Sequence, residues 1–239
     1  TVNLELQVRD HESLGKKTEK LRKTAKSGDK DAIRGMEVLE RYMAHLGEFN
    51  DARTLDAGSD AGRYIADLSL LTMKPVLYVC NVDEKSALSG NAYVDRVRKH
   101  LTGQDAEILI IAGAIEAEIS ELENAADRNA FLKDIGLPEP GVDRLVRAAY
   151  KLLDLRTFFT AGPKEIRAWT IRRGMTASQA AGVIHSDLER GFIRAEVMKY
   201  TDFVTLGSEH ACREAGKLLV EGRNYIVEDG DIIHVRFNV

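Results

Sequence analysis

The residues of this chain whose types and spacing best suit chemistry are Asn81, Val82, Asp83 and Glu84, which follow the apolar run Val76-Leu77-Tyr78-Val79-Cys80. Pro75 suits the first position of a strand, where no ladder donor is needed. A run without alternation predicts a parallel strand covered on both faces. In open α/β sheets, ligands bind just past the carboxyl ends of such strands. A second run, 107–112, ends in the small residues Ala112, Gly113 and Ala114. Two such ends can pinch one planar ligand. A plainer reading also stands: Asn and Asp favour turns, where their side chains bond the local backbone.

Other candidates are weaker. His185 and Asp187 stand two apart without a third ligand, which suits a structural hydrogen bond better than a metal. Cys80, inside the apolar run, is expected to be buried and inert. No G-x-x-x-x-G-K-[ST] phosphate loop occurs in the 239 residues.

The net charge of −4 gives no global case for nucleic acid, so a basic surface must be local. Two cysteines exclude a disulfide framework and fit a reducing compartment. No apolar run approaches the roughly 20 residues of a membrane span, and the first residues carry no signal pattern, so a cytoplasmic protein without a membrane partner is expected.

Residues 1–8 alternate apolar and polar. Helical patterns over 14–25 and 32–46 flank Gly28, suited to a helix end, and Asp29, suited to the next N-cap. Ala32, Met36, Leu39, Met43 and Leu46 form a coiled-coil seam, so an antiparallel helical hairpin is predicted. Around its tip Lys16, Lys17, Lys20, Arg22, Lys23, Lys26, Lys30 and Arg34 outnumber Glu19, Asp29 and Asp31. This surplus of one sign suits phosphate contacts, although exposed arms also carry charge merely for solubility. Residues 48–62 read as a linker or mobile loop, and 63–71 as a helix.

Strands at 76–80 and 107–112 alternate with helices ending near Gly103, at 116–122, at 125–135 and at 142–153, a parallel α/β pattern. Two parallel strands alone leave an open edge and uncovered faces, so most of such a sheet is expected to lie outside these residues. From 157 the pattern changes. A hairpin over 157–160 and 166–171, a helix N-capped by Thr176, and strands at 192–197, 203–206, 225–227 and 232–237 predict a ubiquitin-like β-grasp, with Trp169 and Phe192 in its core.

With these pieces assembled, the chain resembles the YchF subfamily of Obg-like P-loop NTPases over essentially all 239 residues. The resemblance rests on K-P-V-L-Y-V-C-N-V-D-E, I-I-A-G-A-I-E-A-E-I, F-F-T-A-G-P-K-E-I-R-A-W-T-I-R-R-G and A-G-V-I-H-S-D-L-E-R-G-F-I-R-A-E-V. The ending Asn224-Tyr225-Ile226-Val227, followed by E-D-G-D-I-I-H-V-R-F-N-V, is similar to the close of a TGS domain. The resemblance implies a mixed α/β and α+β fold in three parts. These are a coiled-coil hairpin and linker over 1–54, the last part of a G domain over 55–154, and a β-grasp TGS domain over 155–239. It places the phosphate loop and magnesium-binding switches upstream of Thr1, so it transfers no catalytic residue.

It also implies a base site made of Asn81, Val82, Glu84, Ala112, Gly113 and Ala114, without the serine usual in the second loop. Guanine-specific relatives use N-K-x-D, whose carboxylate accepts from guanine N1–H and N2. Glu84, one methylene longer, displaces that acceptor and favours ATP over GTP. The resemblance further implies ATP or GTP with magnesium in a complete protein, weak nucleotide binding by this chain alone, and ribosome or RNA contacts. Lys164, Arg167, Arg172, Arg173 and Arg194 would extend the basic surface. A stand-alone RNA- or ribosome-binding module without NTPase activity is the other reading.

Overall fold

The computed structural model describes residues 2–103, 106–162 and 165–238. The chain folds as two compact units, Thr1–Val76 and Leu77–Val239.

The first unit is built on an antiparallel hairpin of α1 (Val2–Ala25) and α2 (Lys30–Gly47). Gly28 turns the chain at φ +84°, a conformation that favours glycine. The Asp29 carboxylate then caps α2 by accepting from the amides of Asp31 (2.9 Å) and Ala32 (3.0 Å). Helix α1 takes in the alternating residues 2–8. Its inward positions at three- and four-residue steps include Gln7, Asp10 and Leu14, all buried.

Buried polar groups on α1 need partners, and residues 48–76 supply them. Asp10 accepts from the amides of Leu71 (2.8 Å) and Thr72 (2.7 Å) and from the Thr72 hydroxyl (2.7 Å). Gln7 donates to the Phe49 carbonyl (3.1 Å) and to Asp51 (2.8 Å). The expected linker is therefore packed: Ala52, Ala57, Ala61, Tyr64, Ile65 and Leu70 share one core with Leu14, Val38 and Leu39. Its helix is short, α3 (Gly62–Ile65), followed by single 3-10 turns at Ala66–Leu68 and Leu71–Met73. The unit thus continues past the expected break at 54/55. Within α2 the seam is also wider than expected, with Val38 and Tyr42 buried while Met36 and Met43 are half-buried.

The second unit opens with a parallel pair, β1 (Leu77–Asn81) and β2 (Glu107–Ile111), in register from Leu77–Glu107 to Asn81–Ile111. Helix α4 (Ala92–His100) connects them, and α5 (Gly113–Glu121), α6 (Ala125–Asp134) and α7 (Gly141–Leu152) follow. Ala112, Ile115, Ile119, Leu132 and Leu137 form the core of this part. The strands are not covered on both faces as expected: Val79 is 46% exposed and Cys80 is half-buried. With only two strands paired, side chains of β1 lack neighbours on one side.

The chain continues through β3 (Leu155–Ala161), β4 (Ile166–Arg172), α8 (Ala177–Ile184), α9 (Ser186–Arg190), β5 (Phe192–Lys199), α10 (Tyr200–Leu206), α11 (Glu209–Glu214), β6 (Leu219–Glu221) and β7 (Asp231–Phe237). The five strands form one sheet in the order β4-β3-β7-β5-β6, with β3 parallel to β7 and the other pairs antiparallel. Helix α8 starts in a capping box of Thr176 and Gln179 and packs Ala177, Ala180 and Ala181 on Phe158, Ile171, Phe192 and Ile233. Phe192 is buried; Trp169 is half-buried and donates to Thr160 Oγ1 (2.9 Å).

Two expected strands are not strands. Residues 203–206 lie in α10, which ends at Gly207 with φ +80°. The stretch 225–227 is reduced to one bridge, Thr176–Ile226: the Ala177 amide donates to the Tyr225 carbonyl (2.7 Å) and the Val227 amide to the Met175 carbonyl (3.1 Å), so its backbone pairs with the start of α8 instead of a strand.

Candidate functional site

The two candidate loops leave the carboxyl ends of adjacent parallel strands, and three observations join them. The Val82 amide donates to the Ile111 carbonyl (2.9 Å), which extends the ladder one step past β1. Asn81 Oδ1 accepts from the Gly113 amide (3.0 Å), bridging the loops directly. A Cβ at Gly113 would sit 3.2 Å from Asn81 Oδ1, so glycine keeps this approach open.

The four residues divide their roles. Asp83 is consumed locally: its carboxylate accepts from the Ser86 amide (3.0 Å) and caps the 3-10 turn Glu84–Ser86. The turn reading therefore fits Asp83. Glu84 and Asn81 are exposed, and Val82 is half-buried, packed on the cluster of Ala87, Ala112 and Ile115. Ala112 is buried at the start of α5, where it offers no side-chain cap, while Gly113 and Ala114 are exposed.

Glu116, one turn into α5, was missed by sequence reasoning. Its carboxylate accepts from the amides of Gly141 (2.7 Å) and Val142 (3.1 Å), 25 residues away. The only local signal was Pro140-Gly141, a helix start without a capping side chain.

The structure sorts the basic residues of the hairpin. Lys17 donates to the Tyr64 carbonyl (2.6 Å) and to Asp67 (2.5 Å), which holds the Asp67 carboxyl below the usual carboxylate range. Arg34 forms a fork with Asp60 (3.0 and 3.1 Å) and lowers its carboxyl likewise. These two cations serve the unit's own structure. Lys16, Lys20, Arg22, Lys23, Lys26 and Lys30 are exposed and enter no ion pair among the described residues. Lys16 and Lys20 line a groove of about 500 Å³ together with Ser13, Thr24 and the ion-paired Lys17 and Asp67.

The C-terminal arginines do not form one surface. Arg167 stands over the Trp169 ring, 4.3 Å from its centroid, on the face that carries Ile171. By alternation Arg172 and Arg194 belong to the opposite face. Arg194 lies 3.6 Å from Glu196, a buried carboxylate held below its usual range chiefly by the hydrogen-bonded Arg236 guanidinium. Arg173 faces Asp154 at 4.0 Å, and Lys164 lies outside the described residues.

Among the described residues no group of three or more His, Cys, Asp or Glu is placed to hold a metal. His185 Nδ1 accepts from the Asp187 amide (3.2 Å), a cap for α9. No helix of the structure is long and apolar enough to cross a membrane.

Compared with curated proteins, the chain is 44% identical over 241 residues to the "Ribosome-binding ATPase YchF" of Bacillus subtilis, matching 100% of this chain and 66% of that protein. The chain belongs to the YchF family of Obg-like NTPases. The YchF protein of Haemophilus ducreyi is 46% identical over 239 residues, again with 100% of this chain and 65% of that protein matched. The solved Schizosaccharomyces pombe YchF GTPase superposes with a TM-score of 0.86 at 31% identity, covering 98% of this chain and 64% of that one. The family model YchF-GTPase_C, described as "Protein of unknown function (DUF933)", matches residues 155–238. The chain thus spans about two thirds of the length of the YchF relatives it matches.

Proposed function

We propose that the chain supplies base recognition to an ATP-preferring NTPase of the YchF type. Asn81, Val82 and Glu84 would meet the purine from one loop, and Ala112, Gly113 and Ala114 from the other. The observation that carries this reading is the bridge from Asn81 to the Gly113 amide, which holds both strand ends at one place. With Oδ1 engaged there, the Asn81 Nδ2 group remains to donate to a base. The free Glu84 carboxylate selects by displacement: adenine has neither the N1–H nor the N2 amino group that an aspartate accepts in guanine-specific relatives. Gly113, whose Cβ would crowd Asn81, fits a close approach of ligand to backbone.

Phosphate binding, magnesium and hydrolysis of the β–γ phosphoanhydride belong in this reading to the complete protein. No residue of this chain is assigned to those steps. The test is Glu84→Asp in the complete protein, with ATP and GTP affinities measured side by side. The ratio should move toward GTP; an unchanged ratio refutes the assignment.

A second reading concerns output, and the six unpaired cations of the hairpin favour it. The hairpin, acting as a coiled-coil arm, and residues 155–239, acting as a TGS domain, form a contact to RNA or the ribosome in the cytoplasm. Relatives are named for ribosome binding. Replacing Lys16, Lys20, Lys23 and Lys26 together by Glu should abolish salt-sensitive association with ribosomes. Retained binding would eliminate the arm as the contact.

A further inference from the structure

Glu116 closes a loop of contacts that begins and ends at the base site. It sits three residues beyond Gly113, so α5 carries both. Its carboxylate takes the first two amides of α7 (2.7 and 3.1 Å), where Pro140 provides no side-chain cap. One turn further, Arg144 reaches back to the Ile110 carbonyl of β2 (3.0 Å), while its Nε is buried without a partner. The circuit is therefore β2, Ala112, α5, Glu116, the start of α7, Arg144 and β2 again. Gly141 leaves room for the Glu116 contact: a Cβ there would lie 2.6 Å from Glu116 Oε1 and 3.3 Å from Ile111, so a substitution must push the carboxylate aside.

We propose that Glu116 is a positioning residue for the base site, clasping the Ala112–Ala114 loop to α7 so that the Gly113 amide is held against Asn81. The far end of α7 is anchored too, by Tyr150 to Thr170 (3.1 Å) and Lys151 to Glu107 (3.3 Å). The clasp therefore also links the base loop to the sheet that begins at β3. The assignment of a base site rests on the function proposed above; the mechanical link does not.

The experiment is amide hydrogen exchange on the 239-residue chain, comparing the parent with Glu116→Ala, Glu116→Gln and Gly141→Ala. Faster exchange at Gly141 and Val142 follows trivially from losing their acceptor. The clasp predicts more: exchange at the Gly113 amide rises by about tenfold in Glu116→Ala, because the loop that holds Gly113 against Asn81 opens more often once α5 is released from α7. Glu116→Gln, which keeps one acceptor oxygen, falls between, and it carries the test if the alanine variant does not fold. Gly141→Ala raises Gly113 exchange in the parent and adds less in Glu116→Ala, where the crowded oxygen is gone and only Ile111 stays close. Unchanged Gly113 exchange in all variants overturns the proposal. In the complete protein, Glu116→Ala should flatten the ATP-to-GTP preference. Faster Gly113 exchange with unaltered affinities for both nucleotides would retain the clasp and overturn the base-site reading.

Discussion

Asn81 offers a perturbation in which structure and function separate by sign. Its Oδ1 accepts the Gly113 amide at 3.0 Å, and Ala112 leaves the start of α5 with no cap of its own. Asn81 is in effect an N-cap supplied from the neighbouring strand. Removing a capping oxygen costs about 0.5–2 kcal/mol. For a unit of this size, about 1 kcal/mol lowers Tm by about 2–4 °C. Asn81→Ala should show that loss. Asn81→Asp keeps the oxygen and sets a negative charge at the positive end of α5, worth about 0.3–1 kcal/mol, so its Tm should hold or rise. Base recognition responds differently, because both variants lose the Nδ2 donor. The loss of one net hydrogen bond, about 0.5–1.5 kcal/mol, weakens ATP binding by about 2- to 12-fold in either variant. Thermal unfolding by circular dichroism reads the first effect, and ATP titration of the complete protein reads the second. If Asn81→Asp melts as low as Asn81→Ala, the capping argument is wrong. If Asn81→Asp binds ATP as the parent does, the amide has no role at the base.

Asp10→Ala should strand two amides and the Thr72 hydroxyl in the first unit, at a cost of about 3 kcal/mol or more in urea unfolding; a loss under about 1 kcal/mol refutes the role given to that carboxylate. The second unit should weaken in alkali. Burial pulls the Lys199 pKa down, but hydrogen bonds to Asp231, Tyr225 and Glu228 outweigh it and leave the value above the ordinary one. Burial and the Asp231 bond push Tyr225 up to about 12, against the pull of Lys199. Both groups keep protons in the folded state that the unfolded chain releases first. Their contribution is therefore complete below about pH 10 and is lost as pH rises through the folded values. Lys199→Met should flatten the alkaline slope of stability between about pH 10 and 12, and an unchanged slope would show that this network does not set it.

What could be read along the chain was what neighbours in sequence decide. The two strands, each ending within one residue of its expected end, the Asp29 cap, the Gly28 turn and the Thr176 N-cap each depend on residues within a few positions, and each stands in the structure. What escaped was set by partners far away. Residues 48–62 look like a loop because they are polar and small, yet Gln7, more than 40 residues earlier, binds the Phe49 carbonyl and Asp51, Asp10 holds the amides of Leu71 and Thr72, and Ala52, Ala57 and Ala61 enter a core. Phe203, Val204 and Thr205 have strand composition. Strand β5, however, ends at Lys199, whose ammonium is held by Asp231 (2.7 Å) and Glu228 (2.9 Å), and the chain leaves the sheet as a helix.

The two candidate loops combine both kinds of information. Asp83 satisfies its own turn, as any local reading allows. The bridge from Asn81 to Gly113 spans 32 residues, and the Glu116 cap on α7 another 25. A local motif supplied the donors and acceptors, while their alignment depends on a parallel register and a distant carboxylate. Substitutions that leave N-V-D-E and A-G-A intact, such as those at Glu116 or Gly141, are therefore expected to disturb the site as much as substitutions within it.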